Sequence, residues 1–174
     1  MDHKDHVNLL RRGVSGEAGI WADLGAGSGA FTLALAELVG PGSVIHAVDK
    51  DRKALNRLTS DMARRYPAIS CCTWNMDFTK RLDLPRLDGI VMANSLHFLA
   101  EKQSTLQQLR EYLKPNGRLL VVEYDTDRGN YWVPYPLSFA TWVAVATAAG
   151  FGHTELLATH PSSFLGRFFA AASW

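Results

Sequence analysis

Several features that mark whole classes of protein are scarce or missing in this sequence. No apolar run approaches the ~18 residues that a membrane-spanning helix needs, and residues 1–6, MDHKDH, are too charged for a secretory signal. Only two of the 174 residues are cysteine. Because Cys71 and Cys72 are adjacent in a predicted strand, we expect reduced thiols. These absences predict a cytoplasmic protein without a membrane segment.

An excess of charge of either sign is also missing. Eighteen Lys and Arg against 17 Asp and Glu leave a net charge of +1, so no global field favours nucleic acid or an anionic membrane. The arginines of residues 51–64 are therefore predicted to face solvent rather than nucleic acid. The P-loop pattern is absent. His3 and His6 lack further ligands nearby, and no metal site is predicted.

What the sequence does contain is a regular alternation of short β-branched runs and amphipathic segments. This alternation predicts an α/β fold with a parallel sheet covered on both faces. Residues 1–19 are predicted as a short N-terminal helix or extension, and residues 20–174 as a single domain. The predicted strands are 20–24, 44–48, 69–74, 87–93, 119–123, 154–158 and 164–172.

Four helices are predicted between these strands. Three cover residues 29–39, 51–64 and 137–149, and one carries Leu106, Leu109 and Leu113 on its apolar face and ends near residues 114–117. No helix fits between the last two strands, whose connection at residues 160–163 is too short for a parallel crossover. We therefore predict an antiparallel hairpin at the end of the chain.

A glycine-rich loop, DLGAGSG at residues 23–29, separates the first strand from the first helix. Glycines allow a tight turn and a close approach of the backbone to a ligand at a helix start. The loop also satisfies a loose dinucleotide fingerprint, Gly25-x-Gly27-x-x-Ala30, and it could be a turn that merely needs glycine. Asp49 ends the second strand, where its carboxylate could accept two ribose hydroxyls or cap the following helix.

Taken with Asp77-Phe78, the strand ending at residues 92–94 and the segment LKPNGR at 113–118, these motifs resemble the class I S-adenosylmethionine-dependent methyltransferases of the small-molecule type. The resemblance covers residues 20–174. It implies a three-layer, Rossmann-like α/β fold whose seven-stranded sheet is mostly parallel with an antiparallel C-terminal strand. It also implies S-adenosylmethionine as the cofactor and methyl transfer as the activity.

The resemblance assigns roles to residues of the predicted pocket. Asp49 would hold the ribose, and Asp77 with Phe78 would hold adenine, although a turn aspartate beside a core phenylalanine is an alternative explanation of that pair. Asn94 would face the methionine end of the cofactor and the incoming substrate. The complete set of implied cofactor-binding residues is Asp23, Gly25, Gly27, Gly29, Asp49, Lys50, Asp77, Phe78 and Asn94.

Methyl transfer needs alignment of the acceptor within about 3–3.5 Å of the methyl group and exclusion of water. A general base is needed only when the acceptor carries a proton that must leave. His97, three residues after Asn94, is the predicted base, or else it starts the next helix. Glu123 and Tyr124 end the fifth strand on the same rim. Tyr124, Tyr131 and Trp132 are predicted to line the substrate pocket, unless the loop packs its own aromatic rings.

Residues 94–97, NSLH, bear on whether the methyl acceptor is a nucleic-acid base or a small molecule. The Asn/Asp-Pro-Pro-Tyr signature of base-methylating enzymes is absent, which favours a small molecule over nucleic acid. Residues 1–19 leave little chain for a lid, which allows three explanations. The substrate is large, or a second subunit (a homodimer or a partner) covers the site, or the loop of residues 125–136 acts as the lid. The alternatives are a nicotinamide-dependent oxidoreductase, disfavoured by the hairpin and by the lack of a Tyr-x-x-x-Lys pair, and a non-catalytic cofactor-binding scaffold.

Overall fold

Seven strands form one sheet in the order β3-β2-β1-β4-β5-β7-β6 in the computed structural model, which describes residues 1–174. The strands are β1 (Ile20–Leu24), β2 (Val44–Asp49), β3 (Ser70–Asn75), β4 (Leu87–Ala93), β5 (Leu113–Tyr124), β6 (Thr154–Ser162) and β7 (Gly166–Ser173). The α-helices are α1 (His3–Leu10), α2 (Ala30–Leu38), α3 (Arg52–Arg65), α4 (Gln103–Tyr112) and α5 (Phe139–Ala148). Short 3₁₀ turns cover Arg11–Gly13 and Leu96–Phe98.

Strand direction confirms the predicted fold class. Strands β1 to β5 pair in parallel, whereas β7 lies antiparallel between β5 and β6. β1 pairs with β2 on one side and with β4 on the other. The chain therefore reverses its winding between these strands, and such a switch point is where an open α/β sheet binds ligands.

The apolar core is divided into two layers by the sheet. Helices α1, α2 and α3 contribute to a cluster of 25 buried residues, and α4 and α5 contribute to a cluster of 22. Neighbouring strand residues alternate between them: Ala47 belongs to the first cluster and Val48 to the second. This period of two follows from the pleat of a β-strand, and it produces the three layers that the resemblance implied.

Two boundaries differ from the prediction by more than two residues. Helix α4 ends at Tyr112, and Leu113 is a strand residue rather than part of the helical stripe, because it pairs with Leu87. The next paired residues are Gly89 and Arg118, so residues 114–117 form an irregular segment within β5. The second difference is that β6 continues to Ser162, which moves the hairpin connection to residues 163–165. Pro161 is tolerated there because β6 is an edge strand.

The N-terminal segment packs into the first core layer. Val7, Leu9 and Leu10 of α1 are buried, and α1 contacts α2 and β6. None of the helices in the structure has the length and apolar character required to cross a membrane.

Candidate functional site

A cavity of about 290 Å³ opens at the carboxyl ends of the central strands. It brings together six of the predicted cofactor residues, namely Gly25, Asp49, Lys50, Asp77, Phe78 and Asn94. Ser95, Phe98 and Leu99 complete the side nearest β4. Three larger grooves, of 680, 610 and 500 Å³, contain no predicted site residue, and the first two adjoin Lys114 at the start of β5.

Gly25 shapes the floor of the cavity. It has φ +85°, and a Cβ placed on it would collide with the Cβ of Ser95, so only glycine fits between the two strand ends. The amides of Gly25 and Ala26 both donate to the carbonyl oxygen of Val48, at 2.9 and 3.1 Å. The glycine loop is thus bound to the end of β2.

Gly29 serves a different purpose from Gly25. A Cβ on Gly29 would collide with Cδ1 of Leu58 in α3, and Gly29 does not line the cavity. Its position is therefore explained by helix packing, which the sequence pattern did not reveal. The role of Gly29 in cofactor binding stays a prediction.

Asp49 connects β2 to the glycine loop. Its Oδ2 accepts the amide of Gly27 at 2.7 Å, and its Oδ1 accepts the amide of Asp51 at 2.8 Å. The following helix is capped by Asp51, whose side chain accepts the amides of Lys53 and Ala54. Asp49 is thus not the N-cap, and because each carboxylate oxygen has two acceptor directions, it keeps capacity for hydroxyl donors from the cavity.

Asp77 is held as a carboxylate at the cavity wall. The backbone N–H of Thr79 donates to it at 2.9 Å, the Thr79 hydroxyl donates at 2.8 Å, and Nζ of Lys50 lies 3.0 Å away. These donors, the backbone N–H first, lower the pKa of Asp77 to about 2. Phe78 follows it with its ring buried beside Gly25.

Asn94 carries the clearest sign of an absent ligand. Its φ of +53° is the only positive value at a residue other than glycine, and such strain concentrates at functional sites. Its Oδ1 is buried and has no hydrogen-bond partner in the protein. An unpaired buried acceptor costs ~1–3 kcal/mol, and a ligand with an N–H donor in the cavity would remove that cost.

Asp23 lies beneath the cavity rather than in its lining. The side chain is 1% exposed, and its Oδ2 accepts the hydroxyl of Thr32 at 2.5 Å. Burial raises the pKa of Asp23 to about 7. The role in cofactor binding that the resemblance implied for Asp23 stays a prediction, because Asp23 does not line the cavity.

His97 lies in the 3₁₀ turn after β4 and is 4% exposed. Its Nδ1 lies 2.6 Å from Oε2 of Glu123, which is fully buried at the end of β5. Oε1 of Glu123 accepts the amides of Leu96 and His97 at 2.9 and 3.2 Å. The sequence placed both residues on one rim, but nothing in their spacing indicated that they pair.

None of the three predicted pocket aromatics lines the cavity. Tyr124 is half-buried and packs on Phe168, with ring centroids 4.2 Å apart. Tyr131 and Trp132 are 88% and 69% exposed and touch each other edge to face. Their loop is held near its end, where the amide of Tyr135 donates to the carbonyl oxygen of His97. Their contact with a substrate stays a prediction.

No group of three or more His, Cys, Asp or Glu side chains is gathered as metal ligands would be. The cavity offers carboxylate acceptors at the end of β2 and after β3, a glycine loop and a buried aromatic ring at the switch point of the sheet, where α/β proteins bind ligands. The chain belongs to the methyltransferase domain family, whose model matches residues 22–119. This match confirms the resemblance and, with it, S-adenosylmethionine rather than a nicotinamide as the cofactor.

Two curated relatives are each 28% identical to the chain. One is the ubiquinone/menaquinone biosynthesis C-methyltransferase UbiE of Pasteurella multocida, aligned over 59% of this chain and 38% of its own length. The other is the 2-phytyl-1,4-naphtoquinone methyltransferase of Trichormus variabilis, aligned over 84% of this chain and 64% of its own. The chain thus spans less than two thirds of both relatives.

Solved structures show the same fold at lower identity. The chain is similar to a SAM-dependent methyltransferase from Aquifex aeolicus, with a TM-score of 0.73 and 20% identity over 97% of this chain and 88% of that one. At this identity the likeness concerns the fold alone.

Proposed function

We propose that this chain transfers a methyl group from S-adenosylmethionine to a small-molecule acceptor. The observation that carries the proposal is the cavity at the switch point, where Asp49, Asp77 and Phe78 meet the unpaired buried Oδ1 of Asn94. Membership of the methyltransferase family implies S-adenosylmethionine as the cofactor, and the residues that line the cavity are chemically suited to bind it.

Each part of the cofactor has a partner of suitable chemistry in the cavity. Asp49 would accept the ribose hydroxyls, and Asp77 with Phe78 would hold the adenine edge and face. Lys50 would keep Asp77 in place through their ion pair. Gly25, Gly27 and Asn94 would hold the methionine end, where the Asn94 Oδ1 would accept the ammonium. When bound, the cofactor supplies a methyl group activated by its positively charged sulfur.

The acceptor would lie at the mouth of the cavity. The cavity volume of about 290 Å³ is close to the smallest volumes of small-molecule pockets, which range over ~300–1,000 Å³. The cofactor and the acceptor together would therefore extend beyond it. Phe98 exposes aromatic surface in the cavity lining, and Tyr131 and Trp132 are exposed on the loop whose Tyr135 amide bonds to His97. The two curated relatives are named for quinone substrates, and a ring-bearing acceptor fits such a surface.

Helix α1 packs on α2 and β6 rather than over the cavity. We therefore propose that the loop of residues 125–136, or a second copy of the chain, covers the bound acceptor. We place this activity in the cytoplasm, because both cysteines are free and reduced thiols are the rule there.

Calorimetric titration of S-adenosylmethionine, S-adenosylhomocysteine and NADH tests the proposal. Binding of S-adenosylmethionine and S-adenosylhomocysteine with a dissociation constant on the order of micromolar is expected. Asp49→Ala should lose this binding. The control variant Asp61→Ala, which changes an aspartate on the surface of α3, should keep it. Binding of NADH alone would contradict the proposal. Sulfur-nucleotide binding without turnover of any small molecule would indicate a scaffold.

A further inference from the structure

We propose that Glu123 is a positioning residue that keeps the Nε2 of His97 free to take a proton from an acceptor hydroxyl. This inference rests on the proposed function and deepens it, because it names the acceptor class: compounds with an acidic O–H group, such as phenols and enols. Amine and thiolate acceptors already present a lone pair and need no base.

The hydrogen bonds of Glu123 determine which nitrogen of His97 carries the proton. The carboxylate receives two backbone amides at Oε1 and faces Nδ1 of His97 with Oε2, at 2.6 Å. We infer that Glu123 acts as an acceptor at both oxygens, so that Nδ1 of His97 carries the hydrogen and the lone pair of the imidazole is on Nε2.

The second nitrogen of His97 is left without a partner. Nε2 makes no hydrogen bond in the protein, and it is not fully enclosed by protein atoms. This nitrogen therefore still contacts solvent, although His97 as a whole is buried. Phe98 and Leu99, the next two residues, line the cavity, and the Phe98 ring lies 4.3 Å from the imidazole. His97 is thus the immediate sequence neighbour of residues that line the cavity.

The surrounding elements bring few other ionisable groups to the pair. Lys102, just before α4, is close enough to feel the Glu123 charge, but its Nζ donates to the carbonyls of Leu99 and Tyr135 and not to the pair. From β5, burial raises the pKa of the Tyr124 phenol, with the Glu123 charge adding to it. Asp125 is paired with Arg167 of β7 at 2.6 Å. Only Glu123 contacts the imidazole with a negative charge.

The proton balance of the step is simple. The O–H bond of the acceptor breaks, its electron pair stays on oxygen, and the proton forms a new bond to Nε2. The Glu123 carboxylate stabilises the resulting imidazolium through its hydrogen bond from Nδ1–H. The imidazolium then returns its proton to water, which restores the starting tautomer.

Nitrogen NMR of histidine-labelled protein tests the tautomer directly, without turnover. His97→Asn identifies the signal, and the wild type is expected to carry its proton on Nδ1, whereas Glu123→Gln gives a mixture or the Nε2–H form. A wild-type imidazole protonated on Nε2 at neutral pH overturns the proposal.

Kinetics with 1,4-naphthohydroquinone as the probe tests the acceptor class. His97→Asn and Glu123→Gln are expected to lower the rate by about 10²-fold near pH 7, the lower range for a general base. The difference in rate between His97→Asn and the wild type should become smaller as pH rises, because the phenol then ionises without a base. Glu111→Gln, exposed on α4, serves as the matched control. Absence of turnover by the wild type, or a deficit that is constant with pH, overturns the inference.

S-adenosylhomocysteine affinity separates this inference from the proposed function. Both variants should bind it as the wild type does, because neither residue lines the cavity. If the wild type itself does not bind it, the proposed function fails. If binding is intact but the NMR and pH results are contrary, only the inference about Glu123 and His97 fails.

Discussion

The carboxylate of Asp49 accepts the backbone amide of Gly27 at 2.7 Å, across 22 positions of sequence. This bond joins the end of β2 to the glycine loop before any ligand is present. The loop is therefore preorganised by the residue that is proposed to hold the ribose. Preorganisation lowers the cost of binding, so Asp49 contributes to affinity both by contact and by keeping the loop in shape.

Gly25→Ala is expected to lower the free energy of unfolding by about 2–4 kcal/mol, because it combines a positive φ with a Cβ clash. The clash partner is the Cβ of Ser95. Urea denaturation measures the loss. Gly27→Ala, where no atom lies within 4 Å, should cost only about 1–2 kcal/mol, and Ser95→Gly should partly rescue Gly25→Ala. A Gly25→Ala protein as stable as the wild type would contradict this account.

Asp23 is expected to make stability depend on pH. Its pKa is raised from 3.8 to about 7 by burial, so between these values the folded chain keeps a proton that the unfolded chain has lost. The contribution of Asp23 to the free energy of unfolding should therefore fall as pH rises from about 4 to about 7, by roughly 4 kcal/mol, and then level off. Denaturation of wild type and Asp23→Asn across this range measures the difference.

Asp23→Asn should lack that slope, and its advantage over the wild type should grow with pH. Thr32→Val removes the hydroxyl that lowers the pKa of Asp23, so it should extend the slope to higher pH. Parallel pH profiles for the wild type and Asp23→Asn would show that Asp23 titrates normally.

Lys102 is expected to hold the loop of residues 125–136 against the 3₁₀ turn. Its Nζ donates to the carbonyls of Leu99 at 2.6 Å and Tyr135 at 3.0 Å, and burial lowers its pKa. Lys102→Met should speed hydrogen exchange of the Tyr135 amide, which bonds to His97, by about tenfold. Exchange in β1 should not change, and an unchanged Tyr135 amide would refute the role.

Trp132→Ala is expected to separate acceptor binding from stability. Because the side chain is 69% exposed, the free energy of unfolding should change by less than about 0.5 kcal/mol. The KM for 1,4-naphthohydroquinone should rise about fivefold through loss of an aromatic contact, with S-adenosylhomocysteine affinity unchanged. Trp174→Ala, beside the start of β5 and outside the cavity, is the control. Equal KM values in both variants would remove Trp132 from the acceptor site.

Much of the site could be predicted because its signals are local. A glycine loop between a strand and a helix, and an acidic residue at the next strand end, are adjacent in sequence to the elements that position them. Six of the nine implied cofactor residues meet in one cavity for this reason. Gly29 and Asp23 differ, since their contacts with Leu58 and Thr32 depend on how α3 and α2 pack.

The sequence by itself determined the order of strands and helices, the terminal hairpin and the family, since these follow from hydrophobic periodicity and short motifs. Only the tertiary structure decided that Glu123 reaches His97 and that Ser95 closes on Gly25. The register of β5 beside β4, which pairs Ala93 with Val122, brings Glu123 to His97. The register of β4 beside β1, which pairs Asp23 with Val91, brings Ser95 to Gly25. Such register arises from core packing across the whole sheet, and no local pattern encodes it.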